Sequence, residues 1–128
     1  PTTKGRPKIG RVAGHARMFQ PEKTVRYEST VALFARQAMG DRNLFDGPVS
    51  LDLLLHMPIP ASWSAKKRMA ALNGEIFPET KPDCSNVLKA VEDAMNGIVY
   101  LDDKQITDLC VIKRYGPMPG VDVIVSEI

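Results

Sequence analysis

The sequence predicts an α+β domain in which a mixed sheet packs with two or three helices. Three observations lead there. Val49, Leu51, Leu53, Leu55 and Met57 alternate with Ser50, Asp52, Leu54 and His56, the period of a strand with one well-buried face. Val87, Leu88, Val91, Ala94 and Met95 recur at helical spacing between a capping candidate, Asp83 or Ser85, and the terminator Asn96-Gly97. Two strand-like runs close the chain, roughly Ile106 to Tyr115 and Val121 to Glu127, and their connection through residues 116–120 predicts a terminal antiparallel pair.

The remaining elements follow from local chemistry. Pro1 to Gly14 is rich in Gly, Pro and cations with only Ile9 and Val12 to bury, so it reads as a loop or extended arm. Pro21 at a first helical position and Glu22 near the positive helix end start a helix over Glu22–Met39, which Gly40 stops. Pro58 and Pro60 end the first strand. Ser62 or Ser64 then caps a short helix through Leu72, closed by Asn73-Gly74, whose Lys66-Lys67-Arg68 reads as a solvated face in preference to a nucleic-acid contact. Ile98 to Leu101 reads as a short strand leading into Asp102-Asp103.

The chain has 128 residues, 44% hydrophobic and 25% charged, which fits one domain over 1–128 and excludes disorder as its main state. No apolar run approaches the roughly 20 residues of a membrane helix, so no membrane partner and a cytoplasmic location are expected. Cys84 and Cys110 form no metal-binding spacing and read as small packing residues. The formal charge of +2 is unevenly spread. Residues 1–26 hold seven cations against Glu22 alone, a balance of +6, which leaves −4 for residues 27–128. A basic arm, 1–19, thus precedes an acidic body, and Lys4, Arg6, Lys8, Arg11 and Arg17 are candidates for contact with a polyanion.

No phosphate-cradling glycine loop, zinc motif or nucleophilic triad can be nominated from spacing. Carboxylates remain. Asp83 opens a helix and Asp102-Asp103 lie a loop away, so folding can converge them around a hard cation; solvated turn residues are the competing reading. Asp83, Asn86, Lys89 and Asp93 also share the helix face away from Leu88 and Met95. His56 reads as a surface or interface residue, and Trp63 and Phe77 as core or dimer packing in preference to base stacking.

The order Lys81-Pro82-Asp83, Asn86, Lys89, Asp93, Asn96-Gly97 and Asp102-Asp103-Lys104-Gln105 resembles the signature of RusA-type Holliday junction resolvases. Lys4-Gly5-Arg6-Pro7-Lys8 and the run from Gly14 to Thr24 look like the basic N-terminal region of phage-borne members. The resemblance implies a homodimeric, Mg²⁺-dependent endonuclease, Mn²⁺ being an alternative, that nicks opposing strands of four-way junction DNA in a bacterial or phage setting. By matching positions, Asp83 and Asp103 take the metal-binding aspartates and Lys89 the active-site lysine. Asp102 neighbours them as a further metal ligand, and Lys81 joins the DNA-binding residues.

Two departures from the family pattern stand out. Ser85 occupies a position where a further metal-binding aspartate is usual, and a neutral hydroxyl is a poorer Mg²⁺ ligand. Either Ser85 acts through a bound water with Asp102 supplying the charge, or the protein binds junctions and cuts them feebly; Asn86 either orients a ligand or caps the helix. Family members also commonly begin with a strand before the Lys-Gly-Arg-Pro segment, whereas this sequence begins at Pro1. The alternative function is a non-catalytic junction- or DNA-binding protein of the same fold, weakened at Ser85. An RNA-binding domain with a basic arm is a third reading, which leaves the aspartate signature unexplained.

Overall fold

The computed structural model describes residues 8–13 and 24–128, with side-chain surroundings from residue 28 onward. Lys4, Arg6, Arg17 and the helix start at Pro21-Glu22 lie outside the described residues, as do the side chains of Lys8 and Arg11. The elements are β1 (Lys8–Ala13), α1 (Thr24–Met39), β2 (Val49–Met57), α2 (Ala65–Leu72), α3 (Cys84–Met95), a 3₁₀ turn (Asp103–Gln105), β3 (Ile106–Tyr115) and β4 (Gly120–Glu127). Within the described residues no helix is long and apolar enough to cross a membrane.

The four strands form one mixed sheet in the order β1-β4-β2-β3. β2 is the interior strand that sets it: Val49, Leu51, Leu53, Leu55 and Met57 are all buried while the residues between them are half-buried. Val121, Val123 and Val125 of β4 continue the same buried face. α1 covers it with Val31, Ala35 and Met39, and α3 with Val87, Ala90, Val91 and Met95, making a single core. The opposite face carries Asp52, Leu54, His56, Asp122 and Ile124, and there His56 Nε2 and Asp122 Oδ2 lie 2.9 Å apart.

Three local expectations are corrected. β3 and β4 do not pair with each other, because β2 lies between them, parallel to β3 and antiparallel to β4. β2 has enough apolar surface to need neighbours on both edges, whereas β3 is largely exposed and takes the sheet's margin. The five residues 116–120 easily span two strand spacings of about 4.8 Å, and Gly116 N–H donates to Met57 O at 3.1 Å where the chain crosses the end of β2.

Ile98 to Leu101 is not a strand but a compact turn. Ile98 and Val99 N–H both donate to Met95 O at 3.0 Å, and Gly97, at φ +79, donates to Tyr100 O at 2.8 Å. The third correction concerns the arm, of which Lys8–Ala13 is strand β1, antiparallel to β4 with Arg11 opposite Asp122 and Val12 opposite Val121. Backbone pairing to an exposed sheet edge needs few buried side chains, so low apolar content did not prevent a strand. Cys110 is exposed, against its reading as a small packing residue, and Phe77 is 56% exposed and outside the core of the chain.

Candidate active site

The α3 face bearing Asp83, Asn86, Lys89 and Asp93 is exposed, as its spacing requires once Val87, Val91 and Met95 turn inward. Asp83 is the N-cap by backbone geometry, yet its side chain makes no capping hydrogen bond. Its carboxylate therefore remains available beside the positive end of the helix. The segment before it, which contains a cis Lys81–Pro82 peptide, is held by Lys113 of β3, whose Nζ donates to Thr80 O at 2.8 Å and Pro82 O at 3.1 Å. Ser85 and Asn86 are exposed in the first turn, and Lys81 is exposed just before it.

At the other end of α3 the negative charges gather. Asp102 caps the 3₁₀ turn, its carboxylate accepting from Lys104 N–H at 2.9 Å. That bond, aided by a hydrogen bond from the Asp103 carboxyl, holds Asp102 below the usual carboxylate range. Asp103 is displaced upward by the same carboxyl-carboxyl hydrogen bond, then by partial burial and by the charges of Asp102 and Asp93, with Lys89 opposing. Glu92 is raised as well, first by burial and then by Asp103 and Asp93. Lys89 Nζ lies 3.4 Å from Asp93 Oδ2, an exposed i,i+4 pair worth only tenths of a kcal/mol. Lys89 is thus the cation set among Glu92, Asp93 and Asp103.

Two residues to which sequence reasoning assigned no role position this loop. Gln105 Oε1 accepts from the N–H groups of Leu101 at 2.8 Å and Asp102 at 3.0 Å. Its Nε2 donates to Phe45 O at 2.8 Å and Gly47 O at 2.9 Å, tying the aspartate loop to the α1–β2 connection. Tyr100, fully buried beneath the loop, donates its hydroxyl to Glu92 O at 3.1 Å, and burial together with the surrounding carboxylates raises its pKa. Gln105 stands in the quoted signature, and an aromatic two residues before an Asp-Asp pair was the available sign for Tyr100. Nothing local marked Lys113.

The family described as Endodeoxyribonuclease RusA matches residues 1–126 of this chain. The chain belongs to the RusA endodeoxyribonuclease family. A relative named "Uncharacterized protein YqaN", from Bacillus subtilis (strain 168), is 38% identical over 130 residues, which cover 100% of this chain and 91% of the relative. Family membership agrees with the small α+β architecture and makes DNA the substrate class of this RusA-family protein.

The donor set suits a hard divalent cation. Two adjacent carboxyls, Asp102 exposed and Asp103 half-buried, supply oxygen ligands, and Mg²⁺ is commonly bound through one or two carboxylates with waters completing its shell. Among the described residues, no three His, Cys, Asp or Glu side chains are gathered closely enough to enclose a metal. Asp83 opens the exposed α3 face that also carries Lys89, and Lys89 is among the charges that act on Asp103. The structure thus brings together Lys89, Asp102 and Asp103, with Asp83 at the start of the helix that carries Lys89.

Proposed function

We propose that this protein is a Mg²⁺-dependent, homodimeric endonuclease that resolves four-way DNA junctions by paired symmetric nicks. The Asp102–Asp103 carboxyl pair, held in place by Gln105, carries the reading together with family membership. Asp102 and Asp103 would hold the cation, with Asp83 contributing from the helix start. A bound Mg²⁺ or Mn²⁺ activates water and stabilises charge on the phosphate. Lys89 offsets the surrounding carboxylates and presents an ammonium to the scissile phosphate. Two nicks related by symmetry call for two sites related by a two-fold axis, which a C₂ dimer supplies.

The test is incubation of an immobile four-way junction with the protein in Mg²⁺, in Mn²⁺ and in excess chelator. Paired nicks at symmetric positions that disappear with chelator are expected. A salt-sensitive complex that leaves the junction intact in both metals would replace this reading with the non-catalytic one, in which Ser85 in place of a carboxylate weakens the site.

A further inference from the structure

A second set of basic residues, distinct in sequence from the N-terminal arm, lies at the C-terminal end of β3. Its parts flank the edge strand β3 on both faces. Arg68 Nη1 donates to Pro60 O at 3.2 Å, and Lys67 Nζ sits 4.1 Å from the centre of the Trp63 ring. Trp63 meets Tyr115 edge-on with ring centres 5.3 Å apart. On the other face of the edge strand β3, because successive strand residues point opposite ways, Arg114 lies over Phe77 at 4.5 Å. Lys113 then holds the carbonyls of Thr80 and Pro82, so the surface runs through Lys81 directly to Asp83.

The charges on this surface are unspent. Among the described residues no carboxylate pairs with Lys67, Arg68, Lys81 or Arg114. Between residues 58 and 82 the acidic residues are Glu75 and Glu79 alone, against Lys66, Lys67, Arg68 and Lys81. Residues 83–103 hold five carboxylates against Lys89. An acidic site repels a phosphate backbone, so a nuclease of this charge needs attraction next to the site. Cations resting on aromatic rings are partly preorganised and lose less side-chain freedom when they meet phosphate.

We propose that Lys67, Arg68 and Arg114 bind the phosphate backbone of a DNA arm and lead it to Asp83, with Trp63 and Phe77 positioning two of the three cations. The inference rests on DNA as the substrate class and does not depend on junction cleavage. Binding of the full chain to a labelled four-way junction and to linear duplex is measured in chelator over a range of salt concentrations. The double variant Lys67→Ala/Arg68→Ala and the single variant Arg114→Ala are compared with the unaltered chain.

Each lost phosphate contact lowers the log–log salt slope by about 0.9, so the slope on duplex should fall by up to about 1.8 for the double variant and 0.9 for the single. Lys67→Arg, which keeps the charge, should retain the slope. These are exposed positions, and Lys or Arg to Ala in a helix preserves helix propensity, which urea unfolding midpoints verify. Unchanged slopes and affinities in both variants overturn the proposal, as does equal loss of slope in Lys67→Arg. Equally strong competition by duplex RNA overturns DNA as the partner. A junction bound with the expected slopes but never nicked supports this surface and removes the resolvase reading, whereas nicking with unchanged slopes does the reverse.

Discussion

Asp102 and Gln105 hold each other's backbone in a reciprocal cap. Asp102 N–H donates to Gln105 Oε1 at 3.0 Å, while the Asp102 carboxylate accepts the N–H groups of the turn that Gln105 completes. The same Gln105 amide reaches the carbonyls of Phe45 and Gly47, so the carboxyl pair is fixed relative to the core through one side chain. This rigidity matters because catalytic ligands held loosely lose rate steeply with small displacements.

Gln105→Ala should therefore reduce both stability and cleavage. Four hydrogen bonds at about 1 kcal/mol net each, partly replaced by water, give an expected loss of about 2 to 4 kcal/mol. Gln105→Glu keeps an acceptor for Leu101 and Asp102 but presents a carboxylate to two carbonyls, and it should lose at least as much. Urea unfolding measures the loss, and an unchanged midpoint in both variants would show that the cap is ornamental.

The contrast between Asp102 and Gln105 also shows what the sequence revealed. Asp102-Asp103 was legible as a candidate because adjacent carboxylates in a loop carry their chemistry with them. The role of Gln105 depends on carbonyls about 60 residues away, which no local pattern encodes. The same holds for the sheet. β2 was readable end to end, from Val49 to the stop at Pro58, since period-2 burial is local. The placement of β2 between β3 and β4 was not, because it is decided by which strand has two edges to satisfy. α3 was legible for the same reason as β2, and Ile98–Leu101 was misread because a buried turn and a short strand have the same apolar composition.

Asp103→Asn should abolish cutting and spare junction binding. The substitution removes the charge that a cation requires and keeps the side chain's size, so the fold should persist. Binding in chelator and nicking in Mg²⁺ are the two readouts. Normal nicking by this variant would mean that the site lies elsewhere.

Gly116→Ala should destabilise the fold where β3 crosses to β4. A Cβ there would meet His56 Nδ1 at 3.0 Å and His56 Cβ at 3.3 Å. His56 cannot easily give way, because its Nε2 is held against Asp122. Overpacking of this kind costs about 1 to 3 kcal/mol, read as a lower urea midpoint. Replacing His56 by Ala in the same chain should recover part of the loss, which a backbone conflict at Gly116 would not allow.

The dimer is tested by mass. Sedimentation at micromolar concentration should give twice the 14.1 kDa of the chain, and mixing active protein with Asp103→Asn should yield heterodimers that nick one strand of a junction without resolving it. A monomer that still makes paired nicks defeats the two-fold arrangement.

The N-terminal arm should supply affinity without catalysis. Lys4, Arg6, Lys8, Arg11 and Arg17 can neutralise phosphates, but none is suited to activate water at neutral pH. Lys8 begins β1 and its backbone pairs opposite Ile124, so replacing its side chain by Ala leaves the strand's hydrogen bonds in place. The variant Arg6→Ala/Lys8→Ala should weaken duplex binding and flatten its log–log salt slope by up to about 1.8, while cleavage at saturating protein stays near normal. Combined with Lys67→Ala/Arg68→Ala the slope changes should add, because Lys8 begins β1 whereas Lys67 and Arg68 lie on α2. An unchanged slope would show that the arm does not touch DNA, and loss of saturating cleavage would show that it helps to build the active site.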